Sequence, residues 1–255
     1  LLSEREQPLK DLLAGKVVLV TGAGGSIGFD IALSCMRAGA TVIGSGLSEK
    51  PYPDFEGQDL HYVKCDVSKS DEVERVVNSI WEEYGSLDIV VNVAGVTVRK
   101  PFLEITDEDW EKVFAVNVNG AFFTTRAMAK RLVAKGRKGN VVNISSINSE
   151  FAHPVTVPYA ATKGALQTLT YATAVALGPY GIRVNAIAPG TIETKLNAER
   201  WKVPGARETS VSRTPLGRNG LSSDVGNSVV FLASDVSPFT TGAVLHIDGG
   251  KLHQA

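Results

Sequence analysis

Cysteine is scarce in this 255-residue chain: only Cys35 and Cys65 occur, with no Cys-x-x-Cys and no Cys/His spacing. That argues against a disulfide framework and a zinc site, so no metal is expected and both thiols are expected to be free and buried. An excess of charge of either sign is also missing, since 26 Lys and Arg stand against 27 Asp and Glu for a formal net charge of −1. Nothing in that balance would attract nucleic acid or an anionic membrane surface. No apolar run approaches the roughly 20 residues that a membrane span needs. The opening stretch LLSEREQPLKDLLAGK shows no signal-peptide pattern and reads, over 1–14, as a polar lead-in, so the expected compartment is the cytoplasm. Internal repeats, low-complexity tracts and linkers are absent too, and the length suits one domain over 15–255.

What is present is an alternation. Short β-branched runs at 16–20, 40–45, 60–65, 87–94, 139–145, 182–188 and 243–248 are separated by helical periodicity at 27–38, 69–84, 107–135, 158–177 and 222–234. The strands are apolar on both faces, as strands buried between two helical layers must be. They predict an α/β fold in which one seven-stranded parallel sheet carries helices on both sides. The crossover at 46–59 carries Pro51 and Pro53 and is expected to be a loop rather than a helix. The polar, proline-bearing stretch 191–218 reads as irregular and is the expected lid over a cleft.

The first strand runs straight into VTGAGGSIGFD. A glycine-rich turn between a strand and a helix lets the backbone approach a pyrophosphate, which then meets the positive end of the helix. Further signals fall at strand ends, where such sheets bind ligands: Asp66-Val67, Asn92-Val93-Ala94-Gly95 and Pro189-Gly190. Tyr159 and Lys163 are spaced i, i+4 at the start of a helical stretch and therefore share one face. Taken singly, each of these residues reads as well as a turn, a packing ring or a surface charge. Together they would line one crevice.

These motifs, in this order, resemble the short-chain dehydrogenase/reductase family from about Gly15 onwards. Thr21–Gly28 matches TGxxxGIG, 92–95 matches NNAG, Asn117 lies in the FAVNVNG match, and Ser146, Tyr159–Lys163 and Pro189–Thr194 match the family serine, YxxxK and PGxxxT. Ser26 replaces a glycine and Val93 replaces the second Asn of NNAG. The resemblance implies a three-layer Rossmann fold, an NAD(P)-dependent oxidoreductase of alcohols and ketones, and a homotetramer. It makes Asn117, Ser146, Tyr159 and Lys163 catalytic. Tyr159 would exchange the proton, with its phenolate favoured by the Lys163 cation. Ser146 would hold the substrate oxygen, and Asn117 a water that links Lys163 to solvent. Cofactor contacts fall to Gly22, Gly25, Ser26, Ile27, Gly28, Gly46, Asp66, Val67, Asn92, Ala94, Gly95, Tyr159, Lys163, Pro189, Gly190, Ile192 and Thr194. Substrate contacts fall to Arg99, Ser146, Glu150, His153 and Tyr159, with Arg99 the candidate partner of a substrate carboxylate.

Within the family the polar loops look like gluconate 5-dehydrogenases and ketodeoxygluconate dehydrogenases, so a sugar acid or polyol is the expected substrate. The alternatives are a 3-oxoacyl-thioester (acyl carrier protein) reductase, whose carrier would dock on Arg99, Lys100, Lys195 and Arg200, and a cofactor-binding regulator without turnover. Gly46 stands where an acid would bind the ribose diol of NAD. No arginine is evident there for the phosphate of NADP, with Lys50 and Arg37 as possible stand-ins. The balance favours NAD, with use of both dinucleotides as the alternative.

Overall fold

A computed structural model describes residues 9–49, 60–151 and 153–254. Seven strands form one parallel sheet in the order β3-β2-β1-β4-β5-β6-β9. They are β1 (Val17–Thr21), β2 (Thr41–Gly46), β3 (His61–Lys64), β4 (Ile89–Asn92), β5 (Gly139–Ile144), β6 (Ile182–Pro189) and β9 (Val244–Ile247). The seven expected strands are all present. The order reverses between β1 and β4, which opens a crevice above their carboxyl ends.

Successive side chains of a strand point to opposite faces, and this sheet buries both. Val18 and Val20 of β1 pack with Ile31 of α1 (Ser26–Arg37) and with Val225 and Val229 of α7 (Ser222–Ala233). Val17 and Leu19 face the other way. They join Val73, Val76, Val77 and Ile80 of α2 (Ser70–Tyr84) and Met128 and Leu132 of α4 (Gly120–Ala134). Fully burying one such side chain stabilises the fold by roughly 1.5–3 kcal/mol. Cys35 and Cys65 are both buried and free. The lead-in is anchored to the domain, because Leu13 is fully buried and its backbone N–H donates to the Ala38 carbonyl.

Two details differ from the sequence reading. The helix expected over 107–135 is interrupted: α3 (Asp107–Phe114) passes into a π-helical turn at Ala115–Asn119 before α4 begins. Such wide turns cluster at functional sites, and this one contains Asn117. The stretch 191–218 is not irregular. It holds β7 (Ile192–Glu193), a 3-10 segment (Lys195–Lys202) and α6 (Ala206–Ser212), and β7 pairs in parallel with β8 (Gly220–Leu221). Of the loop expected at 46–59, residues 50–59 lie outside the described residues. The long helix α5 (Val157–Leu177) begins where expected, with Pro158 in its first turn.

Candidate active site

The turn after β1 is built for close approach. Gly22 has φ +67°, and a Cβ there would lie 2.7 Å from the Cα of Ala94; a Cβ at Gly28 would lie 2.3 Å from the carbonyl oxygen of Gly22. Glycine is required at both positions, because the obstacles are backbone atoms. Gly25 caps α1, and Ser26 begins it. The Thr21 hydroxyl accepts the backbone N–H groups of Val93 and Ala94 at 3.1 and 3.2 Å. This ends β4 two residues earlier than its apolar run and ties the NVAG turn to the glycine turn.

A cavity of about 1570 Å³ opens above these turns. It is larger than the roughly 300–1,000 Å³ of an ordinary small-molecule pocket, and so has room for a dinucleotide together with a substrate. The expected cofactor residues Gly22, Gly25, Ser26, Ile27, Gly28, Gly46, Asp66, Val67, Ala94, Gly95, Pro189, Gly190, Ile192 and Thr194 line it. Arg99, Ser146, His153, Tyr159 and Lys163 line it as well. The glycine cradle and the helix start behind it suit a pyrophosphate.

Three expected residues are placed elsewhere. Asn92 is buried beneath the crevice. Its amide donates to Asn143 Oδ1 at 2.8 Å and to Thr125 Oγ1 at 3.2 Å, while its Oδ1 accepts from Thr124. Its side chain is an internal strut that ties β4 to Asn143 of β5 and to α4. Glu150 is not among the residues lining the cavity; its carboxylate contacts His246 at 3.0 Å and Gln167 at 3.2 Å. Asn117 is only 1 % exposed and lies behind the wall. Its side chain exchanges hydrogen bonds with the backbone of Val96 and donates to the Thr162 hydroxyl at 3.0 Å. That engages both ends of the amide, so the side chain is a fastener between the NVAG turn and α5.

The Tyr159–Lys163 relationship also differs from expectation. Burial pushes the Tyr159 phenol above its ordinary value, and the hydrogen bond with Ser146 draws it down. The Lys163 ammonium is 5.4 Å from the centre of the Tyr159 ring and donates to the Ile144 carbonyl at 2.7 Å. Burial lowers its pKa to about 8. Ser146, which leaves β5 in an extended conformation, also receives the backbone N–H of Asn148 at 3.1 Å. The site thus places a hydroxyl and a neutral phenol side by side at the cavity wall, with a buried ammonium on the next turn of α5.

Comparison with known proteins agrees with this geometry. Residues 22–251 match a family profile described as enoyl-(acyl carrier protein) reductase. The L-rhamnose 1-dehydrogenase (NAD(P)(+)) of Azotobacter vinelandii is 40% identical over 250 residues, covering 94% of this chain and 97% of that enzyme. This chain belongs to the short-chain dehydrogenase/reductase family. The 3-oxoacyl-[acyl-carrier-protein] reductase of Thermotoga maritima is 39% identical over 246 residues, covering 93% of this chain and 98% of its own. A crystal structure of a gluconate 5-dehydrogenase from Burkholderia cenocepacia, in complex with NADP and tartrate, superposes with a TM-score of 0.89 at 33% identity, covering 98% of this chain and 100% of that one. As a short-chain dehydrogenase/reductase, this protein is an NAD(P)-dependent oxidoreductase acting on CH–OH groups. No helix among the described residues is long and apolar enough to cross a membrane.

Sequence reasoning missed part of the wall: Asn148, Phe151, Thr209, Ser210, Arg213, Lys251 and Gln254 line the same cavity. Arg200, expected as part of a carrier-docking patch and within the lid stretch, lines it too.

Proposed function

We propose that this enzyme interconverts a hydroxyl and a carbonyl on a sugar, sugar acid or polyol. The observation that carries the reading is that Ser146, Tyr159 and Lys163 line one cavity, which Arg99 and His153 also line. The relatives named for rhamnose and gluconate support it. A bound nicotinamide dinucleotide supplies the hydride acceptor or donor. Ser146 holds the reacting oxygen and stabilises its developing charge. Tyr159 gives that oxygen a proton in reduction and takes it back in oxidation. The neutral phenol is the form the ligand-free site favours, and the Lys163 ammonium supplies positive charge when the phenolate is needed. Stretch 191–218 covers the substrate as a lid. Incubation with sugars, sugar acids and polyols, followed by nicotinamide absorbance, tests the reading; no turnover of any of them would overturn it and favour a cofactor-binding regulator.

NAD is the proposed preference, with NADP accepted. A Cβ at Gly46 would lie 2.4 Å from the Tyr62 hydroxyl, and the Tyr62 and Ser48 hydroxyls are 3.1 Å apart, so among the described residues hydroxyls stand at the end of β2, while Lys50 lies outside those residues. Lys64, on β3, is paired with Glu49. The carrier-protein alternative loses part of its docking patch, because Lys100 is paired with Asp109. The proposed assembly is a homotetramer formed through α4 and α5, whose outer faces expose Phe122, Tyr171 and Val175. A monomeric mass by light scattering would remove that proposal.

A further inference from the structure

We infer that Arg200, Arg213 and Lys251 form a carboxylate-binding site on the lid side of the cavity, and that this site reads the acid group of a sugar-acid substrate. The inference rests on the proposed sugar or sugar-acid chemistry and assigns the carboxylate to residues other than Arg99.

Charge along the cavity is uneven. Among the described residues that line it, Asp66 is the only acid, and it sits beyond the end of β3 at one edge of the sheet. Arg200, Arg213 and Lys251 come from the opposite end, after β6 and β9. Other cations of the same region are neutralised: Lys202 pairs with Glu199, Arg207 with Glu193 and Arg218 with Asp224. None of the three cavity-lining cations has a carboxylate partner among the described residues.

Lys251 is the anchor. Gly249 and Gly250, with φ of +65° and +86°, turn the chain back after β9. The Lys251 ammonium then reaches Thr191 Oγ1 at 2.8 Å and Ser210 Oγ at 3.3 Å. An ammonium has three N–H donors, so one remains for a ligand. Asp248, the nearby acid, is occupied, accepting the backbone N–H groups of Gly250 at 2.9 Å and Leu252 at 2.7 Å. Burial lowers the pKa of Lys251, and the charges of Arg200 and Arg213 lower it further, while Asp248 opposes them. A partly buried ammonium flanked by two guanidinium groups and without a carboxylate partner favours an arriving anion, and a planar guanidinium suits a carboxylate. Arg99 lines the cavity too, but from the segment after β4, and it is not among the charges that shift Lys251. Thr191 belongs to the PGxxxT turn, which places the trio at the nicotinamide end of the cavity, beside the expected hydride transfer, rather than at the adenine end.

The test is calorimetric titration of D-gluconate, and of neutral D-glucitol, into protein saturated with NADH, a pairing in which no hydride can be transferred to the cofactor. Wild type is compared with Lys251→Met, Arg213→Gln and Arg99→Ala, each checked for an unchanged fold by circular dichroism. Lys251→Met and Arg213→Gln are expected to weaken gluconate binding about 10-fold or more, with glucitol unaffected, and Arg99→Ala to weaken it less. Gluconate binding unchanged in both lid-side variants would overturn the site, as would equal loss for gluconate and glucitol. Arg213, on the exposed end of α6, keeps the test decisive if Lys251→Met fails to fold. If wild type oxidises neutral sugars but binds no gluconate, the carboxylate site fails while the sugar reading stands. If gluconate binds through the trio but no sugar is turned over, the site stands and the proposed reaction fails.

Discussion

The Lys163 ammonium donates to the Ile144 carbonyl at 2.7 Å, so this α5 residue is held against the end of β5. Only 4 % of Lys163 is exposed. This carries a stability cost. The folded pKa falls from 10.5 to about 8, so between those values the unfolded chain binds more protons, and stability rises with pH through that window. Below about pH 8 the full penalty applies, on the order of 3 kcal/mol. Lys163→Met should therefore unfold at higher urea concentration than wild type near pH 7, less about 1 kcal/mol for the lost hydrogen bond. The gap should narrow toward pH 10. A gap independent of pH would show that Lys163 is not destabilised by burial.

Tyr159→Phe removes the proton-transferring hydroxyl and keeps the ring. Turnover should fall at least about 100-fold while dinucleotide affinity, read by intrinsic fluorescence, changes little. Lys163→Ala should weaken both. Equal dinucleotide affinity in the two variants would argue against separate roles for them.

Gly22→Ala meets two obstacles: a positive φ and the Ala94 backbone at 2.7 Å. The variant should lose about 1–3 kcal/mol in denaturant unfolding and bind the dinucleotide poorly. Gly85→Ala also has positive φ, but nothing lies within 4 Å of its Cβ. It should cost less and leave dinucleotide binding intact.

Glu150→Gln tests whether Glu150 contacts the substrate. If Glu150 serves only its contacts with His246 and Gln167, KM for any accepted substrate should be unchanged and stability should fall by less than about 1 kcal/mol. A several-fold rise in KM would return Glu150 to the site.

Backbone-driven features were the legible ones. Gly22, Gly28 and the Tyr159–Lys163 spacing are local patterns whose chemistry depends on neighbours within a turn, and the alternating apolar runs follow from strands buried on both faces. Side-chain direction at strand ends was not legible. Asn92 and Ala94 are two residues apart, yet one points down into the Asn143–Thr124–Thr125 network and the other lines the cavity. Glu150 was assigned by its loop, but its partner His246 lies 96 residues away. Lys251 escaped notice because it meets Thr191 and Ser210 across 60 and 41 residues, a contact without any local pattern.

The central claim is that Ser146 and Tyr159 serve a nicotinamide-dependent reaction on a sugar or sugar acid. Purified wild type and Tyr159→Phe, each with NAD and with NADP, should be followed by nicotinamide absorbance against D-gluconate, L-rhamnose, D-glucitol and a short 3-hydroxyacyl thioester. The account predicts reduction of the dinucleotide by at least one of the three carbohydrates, a higher rate with NAD, and loss of that signal in Tyr159→Phe. Turnover of the thioester alone, or a carbohydrate signal that survives in Tyr159→Phe, would contradict it.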